Sequence, residues 1–153
     1  MKIFMSLLLI GVVVIQFFPA KRNQGNVDPN QQIQHLYDVP EEVQAILKGA
    51  CLDCHSNTTT YPWYTHVQPI GWWLANHVKE GKRHLNFDAF GSYDLKRQAH
   101  KLEEVVEMVE KKAMPLKPYP SLHEAARLSD AQRQSLMDWA SAVQEEITQN
   151  VLD

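Results

Sequence analysis

The chain has 153 residues, a formal net charge of −3 and a mean hydropathy of −0.36. That length gives room for one domain and an N-terminal extra. The charge is too mild to call for nucleic acid or an acidic membrane surface as a partner.

Lys2 precedes an apolar run, Ile3 to Phe18, interrupted by Ser6, Gly11 and Gln16 and ended by Pro19. The run reads as an export signal, an anchor, or both. It is short for a spanning helix, which needs about twenty residues. Yet Phe18-Pro19-Ala20 makes a poor cleavage site, so an uncleaved anchor over residues 3–18 is expected. Lys21 and Arg22 oppose Lys2 and the amino terminus, which leaves the orientation open. Residues 1–20 are thus assigned to the anchor or signal, residues 21–34, rich in Asn, Gln, Asp and Pro, to a polar tether, and residues 35–153 to the folded domain.

A first domain helix is expected from Pro40, with Glu41 and Glu42 suited to the positive end of the helix dipole and Val43, Ile46, Leu47 and Ala50 on one face. It leads directly into Cys51-Leu52-Asp53-Cys54-His55. Cys-x-x-Cys-His is the pattern of c-type haem attachment. Two thiols three positions apart can each add to a vinyl group, and the next residue is then held beneath the iron as its proximal ligand. No other cysteine occurs. A thioredoxin-like redox pair competes, but no βαβ pattern accompanies the motif. A structural zinc site would want a second ligand pair at short spacing, which the chain lacks.

Residues 56–64 turn from polar to aromatic around Pro62 and read as a loop whose Tyr and Trp either cover a haem edge or anchor the loop. A second helix is expected over Pro69–Glu80, closed by Gly81, with Trp72 and Trp73 in the core and His77 on or beside the apolar face. A second loop, Asn86 to Ser92, carries two phenylalanines. Leu95, Ala99, Leu102, Val106, Val109 and Ala113 then recur at alternating steps of four and three, the cleanest helical stripe in the chain. The charges on the opposite side, Glu103, Glu104, Glu107 and Glu110 among them, read as a solvated face.

Met114-Pro115 opens a proline-rich loop. Proline fixes the backbone, so a thioether there needs little further immobilisation to meet a metal. Methionine opposite histidine is a known axial pair that raises the haem potential, and Met114 is the expected sixth ligand. His77 and His84 are the alternatives, followed by His66, His100 and His123. Ser121-Leu122-His123-Glu124 and Ser129-Asp130-Ala131-Gln132 both have capping-box form and predict a short helix through Arg127 and a final long one, with Leu136, Trp139, Val143 and Ile147 on its apolar face. No segment alternates as a strand would, so the domain is expected to be all-α.

With these residues placed, the chain resembles monohaem class I c-type cytochromes through the helix before the motif, Met114-Pro115, and a final helix introduced by Leu128-Ser129-Asp130. More closely, it resembles a family of small, membrane-tethered bacterial haem-binding domains. The matching stretches are Tyr61-Pro62-Trp63-Tyr64, Gly71-Trp72-Trp73, Asn86-Phe87 and Met114-Pro115-Leu116 with Tyr119 and His123, over about residues 35–145. The resemblance implies a cytochrome-c-like bundle of four to five helices around one covalent haem c, with its first and last helices packed across each other. It also implies thioethers at Cys51 and Cys54 and His55 and Met114 on the iron.

The expected function is one-electron transfer in the bacterial periplasm, by a protein anchored to the inner membrane and meeting redox partner proteins through an exposed haem edge. An iron closed on both sides by protein would not activate substrates, so this reading makes the chain a carrier and not an enzyme. The competing classes are a haem enzyme (peroxidase-associated) or gas or redox sensor with an open or displaceable sixth position, and a Cys-x-x-Cys thiol redox protein without haem.

Overall fold

The computed structural model describes residues 1–152. They are helical, with no strand among them and one isolated bridge between Gln24 and Thr58. The helices are α1 (Lys2–Ile15), α2 (Ile33–Leu36), α3 (Glu41–Ala50), α4 (Leu52–His55), α5 (Ile70–His84), α6 (Leu95–Glu110), α7 (Pro118–Leu122) and α8 (Asp130–Leu152). Short 3-10 segments at Pro29–Gln31, Trp63–His66, Phe87–Ser92 (kinked at Ala89) and Glu124–Ala126 fill the connections.

The core is made where α8 packs along α6 and against α3. The striped face of α6 supplies Leu102 and Val109, α3 supplies Val43, Ile46 and Leu47, and α8 supplies Leu136, Ala140, Val143 and Ile147. Trp139 joins them as expected, donating its indole N–H to the Asp38 carbonyl at 3.0 Å. The first and last domain helices therefore pack on one another. α8 begins with the capping box expected of Ser129. The Gln132 N–H donates to Ser129 Oγ at 3.1 Å and the Ser129 N–H to Gln132 Oε1 at 2.9 Å. The Phe87–Ser92 turn contributes Phe87 and Phe90, both buried.

Four local expectations change. Gly81 does not end α5, which runs to His84. An added Cβ at Gly81 would lie 2.7 Å from the Cys54 carbonyl oxygen, so this glycine serves a close approach of α5 to α4. Ser121 does not cap a helix. Its hydroxyl reaches back to the Lys117 carbonyl, the helix there is Pro118–Leu122, and the chain breaks out at His123 with φ −126° and ψ 102°. Trp72 and Trp73 are not core residues, because both stand at the surface of the first turn of α5. The polar stretch after Lys21 has fixed partners. Asn23 donates to the Ser56 carbonyl and Thr59 Oγ1, each at 2.9 Å, and the Gly25 N–H donates to the Asn57 carbonyl at 2.8 Å.

The apolar N-terminal run is helix α1, with every side chain but that of Ile15 exposed. No helix among the described residues is long and apolar enough to cross a membrane.

Candidate functional site

Helix α3 delivers Cys51 at a kink, with φ −123° and ψ −46°, and the chain turns at once into α4. The Cys51 carbonyl accepts from the N–H groups of Cys54, at 3.1 Å, and His55, at 3.0 Å. One helical turn thus carries both thiols and the imidazole, all partly buried. Burial pushes the Cys51 thiol up to about 12, aided by Cys54, and the Cys54 thiol up to about 11, aided by the Asp53 charge. Neither has the lowered value that makes a redox thiol nucleophilic. Among the described residues, no three His, Cys, Asp or Glu stand where they could hold a metal ion, so the zinc alternative finds no further ligands.

His55 is oriented from α5. Its Nδ1 lies 3.0 Å from the Leu85 carbonyl oxygen, and a carbonyl can only accept, so the proton sits on Nδ1 and Nε2 presents its lone pair. Burial lowers the pKa of the ring and keeps it neutral, against the raising influence of the Leu85 and Gly81 carbonyls. Phe87 meets the ring edge-on at 6.4 Å between centroids. A neutral imidazole with one nitrogen anchored to a backbone carbonyl is the form in which histidine ligates metals.

The loop after His55 is tied back to the motif through Asp53. Its backbone carbonyl accepts from Thr59 Oγ1 at 2.6 Å, Oδ1 accepts from the Thr60 N–H at 3.0 Å, and Oδ2 accepts from the Tyr119 hydroxyl at 2.6 Å. Burial and that bond raise the Tyr119 phenol far above its ordinary value. Tyr119 also stacks on His123 at 4.0 Å between ring centroids, and His123 Nε2 shares a 2.7 Å hydrogen bond with the Tyr64 hydroxyl. Together Asp53, Cys54, Tyr64, Tyr119 and His123 line a cavity of about 10 Å³ against Leu74 and Val78 of α5.

The other candidates lie elsewhere. Met114 is half-buried where α6 ends. Lys112, at φ 52°, turns the chain, the Met114 N–H donates to the Met108 carbonyl at 3.2 Å, and the Met114 carbonyl accepts from Arg133 at 3.1 Å. It is not part of the cavity wall beside Cys54. His77 lies tilted against Trp73, with ring centroids 4.1 Å apart, and bonds the Trp73 carbonyl one turn back, His66 meets Arg22, and His84 and His100 are exposed. His123, in the last group of alternatives from sequence, shares a cavity wall with Cys54. Asp53, a spacer position of the motif in the sequence, is the residue to which the following loop and Tyr119 bond. Asp53 carries no local signal, whereas the Tyr119–His123 pair does, because a helical turn brings residues four apart together.

The model of the haem-binding domain family matches residues 10–142. The chain belongs to the haem-binding domain family. No curated protein and no solved structure matches it. The donor set suits that family. His55 is held neutral with Nδ1 committed and Nε2 available, and the two thiols share its helical turn. His55 in α4 could hold the iron of a haem, and Leu85 and Phe87 fix the position of its ring.

Proposed function

We propose that this haem-binding domain is a c-type cytochrome that carries single electrons. One haem c would be held by thioethers from Cys51 and Cys54, with His55 Nε2 on one side of the iron and the Met114 thioether on the other. The observation that carries the reading is the 3.0 Å bond from His55 Nδ1 to the Leu85 carbonyl, within one helical turn of both thiols. The haem when bound supplies the one-electron couple. The chain's own residues do the rest. Leu85 fixes the imidazole tautomer, and burial keeps it neutral. The Tyr119–Asp53 bond ties the segment that follows Met114 to the motif. The enclosed space beside Cys54 is small, so Tyr64 and the Tyr119–His123 pair must part to admit a macrocycle. Residues 3–18 would tether the domain to the bacterial inner membrane, on the periplasmic side where covalent haem attachment occurs, and redox proteins would be its partners.

A second reading is favoured by His123. It stands in the cavity wall with the Tyr64 hydroxyl and the Tyr119 ring, as a distal histidine of an open-site haem enzyme or sensor would. Carbon monoxide separates the two. The reduced carrier, expressed in a cell that matures c-type cytochromes, should not take it up, and Met114→Ala should admit it and lower the potential. Uptake by the unaltered protein, abolished or altered by His123→Ala, would move the assignment to the open site. A spectrum unchanged by Met114→Ala would remove Met114 from the iron.

A further inference from the structure

Helix α1 does not hang on a free linker. The Gln16 amide nitrogen donates to the Gln68 carbonyl at 3.1 Å and its oxygen accepts from the Gln68 N–H at 2.8 Å. The Trp72 indole N–H donates to the Phe18 carbonyl at 2.7 Å. The exposed apolar helix is therefore pinned to the first turn of α5. Around that point the surface is itself apolar and aromatic. Trp63 is 80 % exposed and Trp73 49 %, Val67 and Ile70 are exposed as well, and the Trp63–His66 turn packs on α5. Beside it opens a groove of about 540 Å³ whose wall holds Lys21, Arg22, Lys79 and Lys82 with Tyr61 and Trp72, and no carboxylate. The guanidinium of Arg22 lies 4.9 Å over the Tyr61 ring, so its charge is held at the rim.

We propose that this groove and its tryptophan rim lie against a bilayer and take the headgroups of anionic phospholipids, with α1 in the acyl layer beside them. The inference extends the tether reading of residues 3–18 and is independent of the haem. At 14 residues α1 is roughly 21 Å long, short of the ~30 Å hydrocarbon core, so it enters from one side and draws the domain down onto the headgroups. Tryptophans concentrate at that depth, and lysine and arginine meet anionic lipid there. The net charge of −3 does not oppose this contact, because the acidic run Glu103, Glu104, Glu107 and Glu110 belongs to α6 and takes no part in the groove.

The test uses the full chain reconstituted into vesicles of phosphatidylcholine alone or of phosphatidylcholine with phosphatidylglycerol. Lysine acetylation by a neutral reagent is followed site by site in the mass spectrometer. Lys21, Lys79 and Lys82 should react about fivefold more slowly in the anionic vesicles, the factor that corresponds to the ~1 kcal/mol of one basic residue at such a surface. Lys48 and Lys96, exposed on α3 and α6, should react alike in both. Lys21→Gln combined with Lys79→Gln should return Lys82 to its rate in neutral vesicles. Equal rates in the two vesicles, or slowing of Lys48 and Lys96 to the same degree, would overturn the proposal. Failure of the protein to float with neutral vesicles would count against α1 as the tether, and the acetylation pattern would still judge the groove.

Discussion

At the scale of single residues the motif is defined by suppressed reactivity and fixed geometry. Burial raises the thiols of Cys51 and Cys54 to about 12 and about 11, so both stay protonated near neutrality. In haem-free protein, iodoacetamide should alkylate Cys54 on the order of a hundredfold more slowly at pH 8 than an ordinary cysteine of pKa ≈ 8.5, with Cys51 slower still. The rate should climb about tenfold per pH unit toward the Cys54 value, because only the thiolate attacks. Fast alkylation at pH 8 would restore the thiol redox pair as a reading. Asp53 supplies a second test. Tyr119→Phe removes the hydrogen bond to its carboxylate while keeping the ring on His123. Loss of about 1.5–3 kcal/mol in denaturant unfolding is expected, the range for a hydrogen bond to a charged group. No change would mean that the phenol does not tie the Met114 segment to the motif. The Cys-x-x-Cys-His pattern was legible in the sequence because its spacing is local and fixed. Asp53 was not, because a spacer position acquires its role only when Tyr119 arrives from 66 residues away.

At the scale of elements, packing decides where helices begin and end. The stripe on α6 and the capping box of α8 were readable because both are local patterns, a period of 3.6 residues and a reciprocal bond over three. Gly81 was misread because glycine has two meanings in a helix, terminator or point of close approach, and only the neighbour distinguishes them. A glycine-to-alanine change inside an exposed helix normally stabilises by about 1 kcal/mol. At Gly81 the new Cβ would press on the Cys54 backbone at 2.7 Å, so Gly81→Ala should instead cost about 1–3 kcal/mol and displace the motif, read by denaturant unfolding and by lower haem incorporation. A stabilised variant would contradict the tight α4–α5 contact. Leu136 is fully buried between α8 and its partners, and Leu136→Ala should cost about 2–5 kcal/mol in the same experiment. Trp72 and Trp73 were expected in the core because large aromatics usually are. They lie outside because the first turn of α5 faces the chain leaving α1, where Trp72 bonds the Phe18 carbonyl.

At the scale of the whole molecule, α3, α6 and α8 build the core, and α5 with the Phe87–Ser92 turn brings Leu85 and Phe87 to the histidine. The all-α class followed from periodicity alone. How α1 meets the domain did not, since the Gln16–Gln68 and Phe18–Trp72 bonds join residues more than fifty positions apart and leave no local trace. Membership of the haem-binding domain family and the anchored, neutral His55 support haem binding, and the central proposal adds that Cys51 and Cys54 hold that haem covalently. The most direct measurement is a pyridine haemochrome spectrum, with haem staining after denaturing electrophoresis, of protein made in cells that mature c-type cytochromes. One haem per chain, retained through denaturation and lost from the gel band when Cys51 and Cys54 are both changed to alanine, is the predicted result. Protein without haem, or haem that leaves the unaltered chain on denaturation, would contradict it.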